Sequence, residues 1–227
     1  MERVIQYKKL ADLKDVGVFL KRLSGTDLNN VPEKFGSSVN DAIALMEDKL
    51  QIAIVSARCA ITEVGEKSVT LENGITLTGE MPPRVLQKAS EVFAFVIALQ
   101  GFGEVKPDDI MVEYFMDSLG SAYVECAQAY FANEVQEILE KEGKKRTHLW
   151  CPGQHKFELQ NQTPLFEMLK PDEIGCTLTK RLMMVPVKAA SGIFGVIPTD
   201  TEEMLRPCDF CGYKKTCPGS DKGCAVI

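Results

Sequence analysis

Four blocks follow one another in the second half of the chain: Cys151-Pro152-Gly153-Gln154, then Gln162-Thr163-Pro164-Leu165-Phe166, then Leu178-Thr179-Lys180-Arg181-Leu182-Met183-Met184-Val185-Pro186, then Ser191-Gly192-Ile193-Phe194-Gly195. The first reads as a sharp bend, because proline presets one dihedral and glycine accepts dihedrals that other residues avoid. Such a bend lets backbone approach a ligand closely, and it is equally the ordinary chemistry of a surface turn. Helical spacing predicts a helix from about Gln160 to Leu169. Strand-like segments follow at Cys176 to Leu178, Met183 to Val187 and Ile193 to Ile197.

Upstream, Pro107-Asp108-Asp109 suits a helix start, and Val112, Phe115, Met116, Leu119, Tyr123, Cys126, Ala127 and Tyr130 keep a helical period to about Glu142. Gly120 within that helix costs about 1 kcal/mol against alanine, so a close approach of another helix or a ligand is expected there. Val92 to Leu99 reads as a buried central strand. Gln51 to Val64 is β-branched and apolar, and Asn73-Gly74 between Ser68–Glu72 and Ile75–Gly79 signals a hairpin. Met81-Pro82-Pro83 introduces a short helix. Nearer the start, apolar spacing predicts helices over residues 8–23 and over Val39 to Leu50.

The order and spacing of the four blocks resemble the reactivation domain of cobalamin-dependent methionine synthase, including its stand-alone versions. There the pattern runs Arg-x-Ser-Pro-Gly-Tyr, Gln-x-x-Leu-Phe, Leu-Thr-Glu-Ser-x-x-Met-x-Pro and Ser-x-Ser-Gly. The resemblance spans residues 110–198. It implies an α+β fold, an antiparallel β-sheet flanked by helices, with residues 1–105 as an N-terminal α/β part, 106–204 as the motif-bearing part of the same domain, and 205–227 as a small cysteine-rich tail. It also implies a chemistry, in which an inactive Co(II) corrinoid is reduced by one electron and trapped by methyl transfer from S-adenosylmethionine. The corrinoid carries the hard bond-making.

On this resemblance the S-adenosylmethionine contacts fall at Glu125, Cys151, Pro152, Gly153, Gln154 and Arg181. Three positions depart from the pattern. Leu149 stands where the family has its binding arginine and Gln154 where it has tyrosine, while Lys180 and Arg181 replace Glu-Ser. Leucine cannot imitate the bidentate fork of an arginine; Arg146 or Arg181 is the candidate substitute. Glu125 falls on the family's functional glutamate, against the plain reading of a solvated charge on a helix flank. Met183, Met184 and Phe194 are expected in the core. His148 and His155 bracket the bend, either as surface histidines or as groups touching a ligand.

The tail holds Cys208-x2-Cys211-x5-Cys217-Pro218-x5-Cys224. A Cys-x2-Cys turn places two sulfurs on one side, so four thiolates can converge on one ion. A 4Fe–4S cluster, structural Zn2+, and free thiols or a redox pair all remain open by spacing. Of the other cysteines, Cys59, Cys126 and Cys176 are expected as buried small hydrophobes. Cys151, at the family's serine, is the candidate for a low-pKa thiolate.

Composition bounds the rest. A hydrophobic share of 45% supports a packed core. A net charge of −6 argues against a non-specific grip on nucleic acid. The start, Met1-Glu2-Arg3-Val4, lacks the basic and apolar pattern of a signal peptide, and Val92 to Leu99 is too short for a membrane span. A cytoplasmic protein is expected, with thiols or metal ligands rather than disulfides. The chain has no Asp-x-His-x-x-Gly corrinoid motif. Cobalamin is therefore expected from a partner, a corrinoid-carrying methyltransferase or methionine synthase, with a possible separate electron donor. The alternative is an iron–sulfur electron-transfer or partner-binding module that has kept the fold and lost S-adenosylmethionine.

Overall fold

In β5 (Glu91–Gln100), bulky and small residues alternate. Phe93, Phe95, Ile97 and Leu99 point to one face of the sheet, and Val92, Ala94, Val96 and Ala98 to the other. Both rows are buried, which is why the run shows no polar alternation. The computed structural model describes residues 1–202, 205–212 and 215. Among these, seven strands form one sheet around β5, and every pairing in it is antiparallel.

β2 (Gln51–Val64) pairs along one side of β5, from Gln51 opposite Gln100 to Ala60 opposite Glu91. Its outer edge is shared. Residues near its start pair with β1 (Glu2–Lys9), and residues near its end with β3 (Ser68–Leu71), which turns through Asn73-Gly74 into β4 (Thr76–Thr78). On the other side of β5 lies β9 (Ala189–Pro198), with Phe93 opposite Phe194, and β6 (Lys144–Arg146) closes that edge.

Helices cover both faces. α1 (Val16–Ser24), α2 (Glu33–Lys49) and α4 (Ile110–Lys141) pack on the bulky face. α3 (Met81–Leu86) and α5 (Gln162–Leu169) pack on the small-residue face. A separate hairpin of β7 (Thr177–Leu178) and β8 (Met184–Val185) precedes β9. The α+β architecture expected from the sequence is the one observed.

Three elements differ from the reading by pattern. Residues 8–23 do not form one helix: Tyr7 to Lys9 end β1, Leu10 and Leu13 enter the core from a 3-10 turn, and α1 begins at Val16. A 3-10 turn followed by a helix repeats apolar positions at nearly the same interval as one continuous helix. α2 begins six residues early, straight after Pro32. β6 has no apolar signature at all, and its pairing with β9 makes it a strand.

The end of α4 is tied to the sheet by charge. Arg58 donates two bonds to Glu91 (2.9 and 2.8 Å) and two to Glu142 (2.6 Å each), while Lys144 reaches Glu91 at 2.8 Å. At the N-cap of α4, Asp109 accepts from the Met111 N–H at 2.7 Å. Gly120 is bare because a Cβ there would lie 3.0 Å from the Phe102 ring and 3.1 Å from the Lys188 stem. The close approach is thus made by an aromatic ring and a lysine stem, both outside the helices, rather than by the helix or ligand expected.

Candidate functional site

Beyond β6 the chain stays extended beside β9. The Thr147 N–H donates to the Gly195 carbonyl at 2.8 Å, and Thr147 Oγ1 accepts from the Gly195 N–H at 2.9 Å. Trp150 and Ile193 then exchange backbone bonds at 3.1 and 2.9 Å. Extended backbone sends successive side chains to opposite faces. Leu149 joins the helix-covered core, and Trp150 joins the core on the small-residue face.

Leu149 is 7% exposed. A Cβ built on Gly192 would lie 2.6 Å from Leu149 Cδ1 and 2.9 Å from Phe95 Cζ. The Ser-Gly block therefore has a packing reason: glycine leaves room for the leucine. Arg146 is occupied too. Its Nε donates to the Ala132 carbonyl at 3.0 Å, and its guanidinium stacks on Phe194.

The bend itself is rooted and open. Pro152 and Phe157 are buried, while Gly153 and Gln154 are exposed. Gly153 has φ +87, and a Cβ on it would lie 3.1 Å from Leu159 Cδ1. Its N–H donates to the Phe157 carbonyl at 2.7 Å, the Phe157 N–H to the Gln154 carbonyl at 2.7 Å, and the Gln154 N–H to the Cys151 carbonyl at 3.1 Å. Those amides hold the bend together. His155 and Lys156 both take left-handed dihedrals, φ 49 and 66, at about 1–2 kcal/mol each for residues with a Cβ.

α4 supplies the facing wall. Its Gln128 is 6% exposed and accepts from the Cys151 thiol at 4.0 Å. Glu125, one turn earlier, is half-buried and held by the Arg22 guanidinium of α1. Burial pushes the Cys151 thiol up to about 12, and the Glu125 charge adds to the rise. Cys151 is thus a neutral thiol at physiological pH, which corrects the thiolate expectation: the loop is packed against α4 and faces a carboxylate rather than a cation. Gln128 and Arg22 carry no motif signal, and only the packing of α1 and α4 brings them here.

The remaining candidates are dispersed. Lys180 and Arg181 are exposed in the turn joining β7 to β8. Met183 is 60% exposed, against the core expectation, because the small hairpin turns it outward with Val185 and Val187. Met184 packs on the second core, and Phe194 is fully buried. Burial lowers the pKa of His148, helped by Arg146 and Arg206, and burial also lowers that of His155. Both rings are neutral at pH 7. Cys59, Cys126 and Cys176 are buried, as expected.

In the tail, Cys208 and Cys211 lie on one 3-10 turn (Pro207–Phe210 and its cap), with the Cys211 N–H donating to the Cys208 carbonyl at 3.3 Å. That turn suits the first half of a four-thiolate site. Cys217 and Cys224 lie outside the described residues, and among the described residues no group of three or more metal-ligating side chains converges. Phe210 anchors the turn, edge-on to Trp150 at 5.9 Å and under the Arg84 guanidinium.

Among the described residues no helix is long and apolar enough to cross a membrane. The chain matches no protein-family model and none of the curated proteins. Among solved structures it is similar to the MetH reactivation domain bound to AdoHcy, with 12% identity and a TM-score of 0.60 over 91% of this chain and 82% of that one. The chain therefore shares the fold of the MetH reactivation domain.

Proposed function

We propose that this protein serves a cobalamin-dependent methyltransferase, most simply a methionine synthase, as a reactivation component acting in trans. The observation that carries the reading is the bend at Gly153-Gln154, exposed at its tip and rooted by Pro152 and Phe157, on a fold shared with the MetH reactivation domain. That neighbour binds AdoHcy, the demethylated relative of S-adenosylmethionine. In the proposed reaction one electron from an external donor converts Co(II) to Co(I); a cluster bound in the tail would supply one-electron chemistry of the same kind. The Co(I) electron pair attacks the sulfonium methyl of S-adenosylmethionine, giving methyl-Co(III) and S-adenosylhomocysteine. In this scheme Glu125, Cys151, Pro152, Gly153, Gln154 and Arg181 contact the methyl donor. Cys208, Cys211, Cys217 and Cys224 would hold a 4Fe–4S cluster or Zn2+. The work is done in the cytoplasm.

Two observations favour a second reading, a partner-binding or electron-transfer module without S-adenosylmethionine. Leu149 is a core residue rather than an arginine clamp, and the Glu125 carboxylate is already taken by Arg22. Equilibrium binding of S-adenosylmethionine to the purified chain separates the two readings. Binding, together with rescue of a Co(II)-trapped methionine synthase, supports the first; rescue of electron flow without binding supports the second. Failure to retain any cobalt-containing protein on co-purification would remove both. Anaerobic iron reconstitution gives a bleachable brown protein if the tail holds a cluster, and a colourless zinc-loaded one if it does not.

A further inference from the structure

A cavity of about 520 Å³ opens on the small-residue side of the sheet, away from the α4 wall of the bend. It lies between α3, the outer edge of β9 with the adjoining Thr147–Trp150 stretch, and the start of the tail. Its size is that of an ordinary small-molecule site. Its charge is unusual for this chain. The protein carries a net −6, yet among the described residues lining it the cavity gathers Arg84, Lys88 and Arg206 against one carboxylate, that of Asp209.

Each cation has a partner that an incoming anion can replace or share. Arg84 pairs with the exposed Glu80 at 3.0 Å, Arg206 with Asp209 at 3.2 Å, and Lys88 with the Glu202 carbonyl at 3.2 Å. Exposed pairs of this kind contribute little stability. A second feature points to an acceptor: Trp150 lines the cavity, is 1% exposed, and its buried Nε1–H has no hydrogen-bond partner among the described residues. A buried donor left unmet costs free energy that an oxygen would recover.

We propose that this cavity binds a small oxyanion, a phosphate- or carboxylate-bearing metabolite, bridging Arg84 and Lys88 of the body to Arg206 of the tail. Two guanidiniums present planar forks suited to such oxygens. Arg206 lies two residues before Cys208, so occupancy holds the Cys208–Cys211 turn against the sheet. The site is independent of the corrinoid reading and stands or falls without it.

Trp150 is the only tryptophan in the chain, so its emission reports the cavity directly. The full chain is titrated with inorganic phosphate and, separately, with citrate, at constant ionic strength set with sodium chloride. A saturable change with at least one of them is expected, weakened about tenfold or more in Lys88→Gln and in Arg206→Gln. Phosphate alone saturating assigns a phosphorylated ligand, and citrate alone a carboxylate. An equal response to chloride, no response to either anion, or unchanged affinity in both variants overturns the proposal. The wild-type melting temperature supplies a readout that needs no variant, and it must rise with the anion that saturates. Backbone amide exchange over residues 208–211 is expected to slow on saturation; unchanged exchange removes the bridging of the tail.

Discussion

Gly192→Ala tests whether Leu149 is core or pocket. The new methyl would stand 2.6 Å from Leu149 Cδ1 and 2.9 Å from Phe95 Cζ, where carbon atoms prefer about 3.5–4.0 Å. Phe95 cannot yield easily: it is fully buried, 5.2 Å from Phe131 and 5.6 Å from Phe194 between ring centroids. Overpacking of this kind costs about 1–3 kcal/mol, and the rigid ring places this case towards the upper end. Leu149→Ala alone leaves a hole and costs about 2–4 kcal/mol. In the double variant the methyl added at position 192 occupies space vacated by Leu149 Cδ1, so the total falls below the sum by about 1–2 kcal/mol. Urea unfolding followed by circular dichroism measures all four corners of the cycle, with unchanged m-values as the control. Strict additivity, or a Gly192→Ala protein as stable as the parent, means that Leu149 does not lie over Gly192 and that the position is open to a ligand after all.

Three more outcomes follow from the charges. Arg22→Ala frees the Glu125 carboxylate at a stability cost of about 1 kcal/mol, since both side chains remain roughly a quarter exposed; S-adenosylmethionine binding by calorimetry should tighten, and unchanged affinity strikes Glu125 from the contacts. Burial raises the thiols of Cys126, Cys151 and Cys176 to about 12, so the folded state holds protons that the unfolded chain releases near pH 8.5. Stability is then full below that pH and declines as pH climbs towards 12, with a shallower decline in Cys151→Ser; equal slopes in denaturation at pH 8 and pH 10 would reject the burial. Arg58 holds the Glu142 carboxyl down to about 2. Its stabilisation is present above the ordinary carboxylate range and lost as pH falls towards 2, by no more than about 1 kcal/mol given the exposure of the pair; Glu142→Gln should flatten that part of an acid titration.

Local pattern was enough for every element whose evidence is carried by its own residues. The β5 run, the Asn73-Gly74 hairpin, the long α4 and the Pro-Gly bend were legible because burial on both faces, turn chemistry and helical period each leave a mark within a few residues. The four blocks, through their resemblance, pointed to the architecture that the MetH reactivation domain shares. β1 and β6 left no such mark. Their existence rests on free edges of β2 and β9 elsewhere in the chain, where unpaired backbone groups recruit whatever segment passes.

The candidate site divides in the same way. Sequence alone located the bend, the glycine at Gly192 and the Cys208-x2-Cys211 turn. Tertiary structure decided what each residue meets: Leu149 lies over Gly192, Arg22 of α1 takes the Glu125 carboxylate, and Gln128 faces a Cys151 thiol that burial keeps protonated. It also assembled the cationic cavity from residues more than a hundred positions apart. The physical reason is one of range. Backbone preference and apolar period act over a few residues, whereas burial, charge pairing and close contact depend on which distant segments the sheet and its helices bring together.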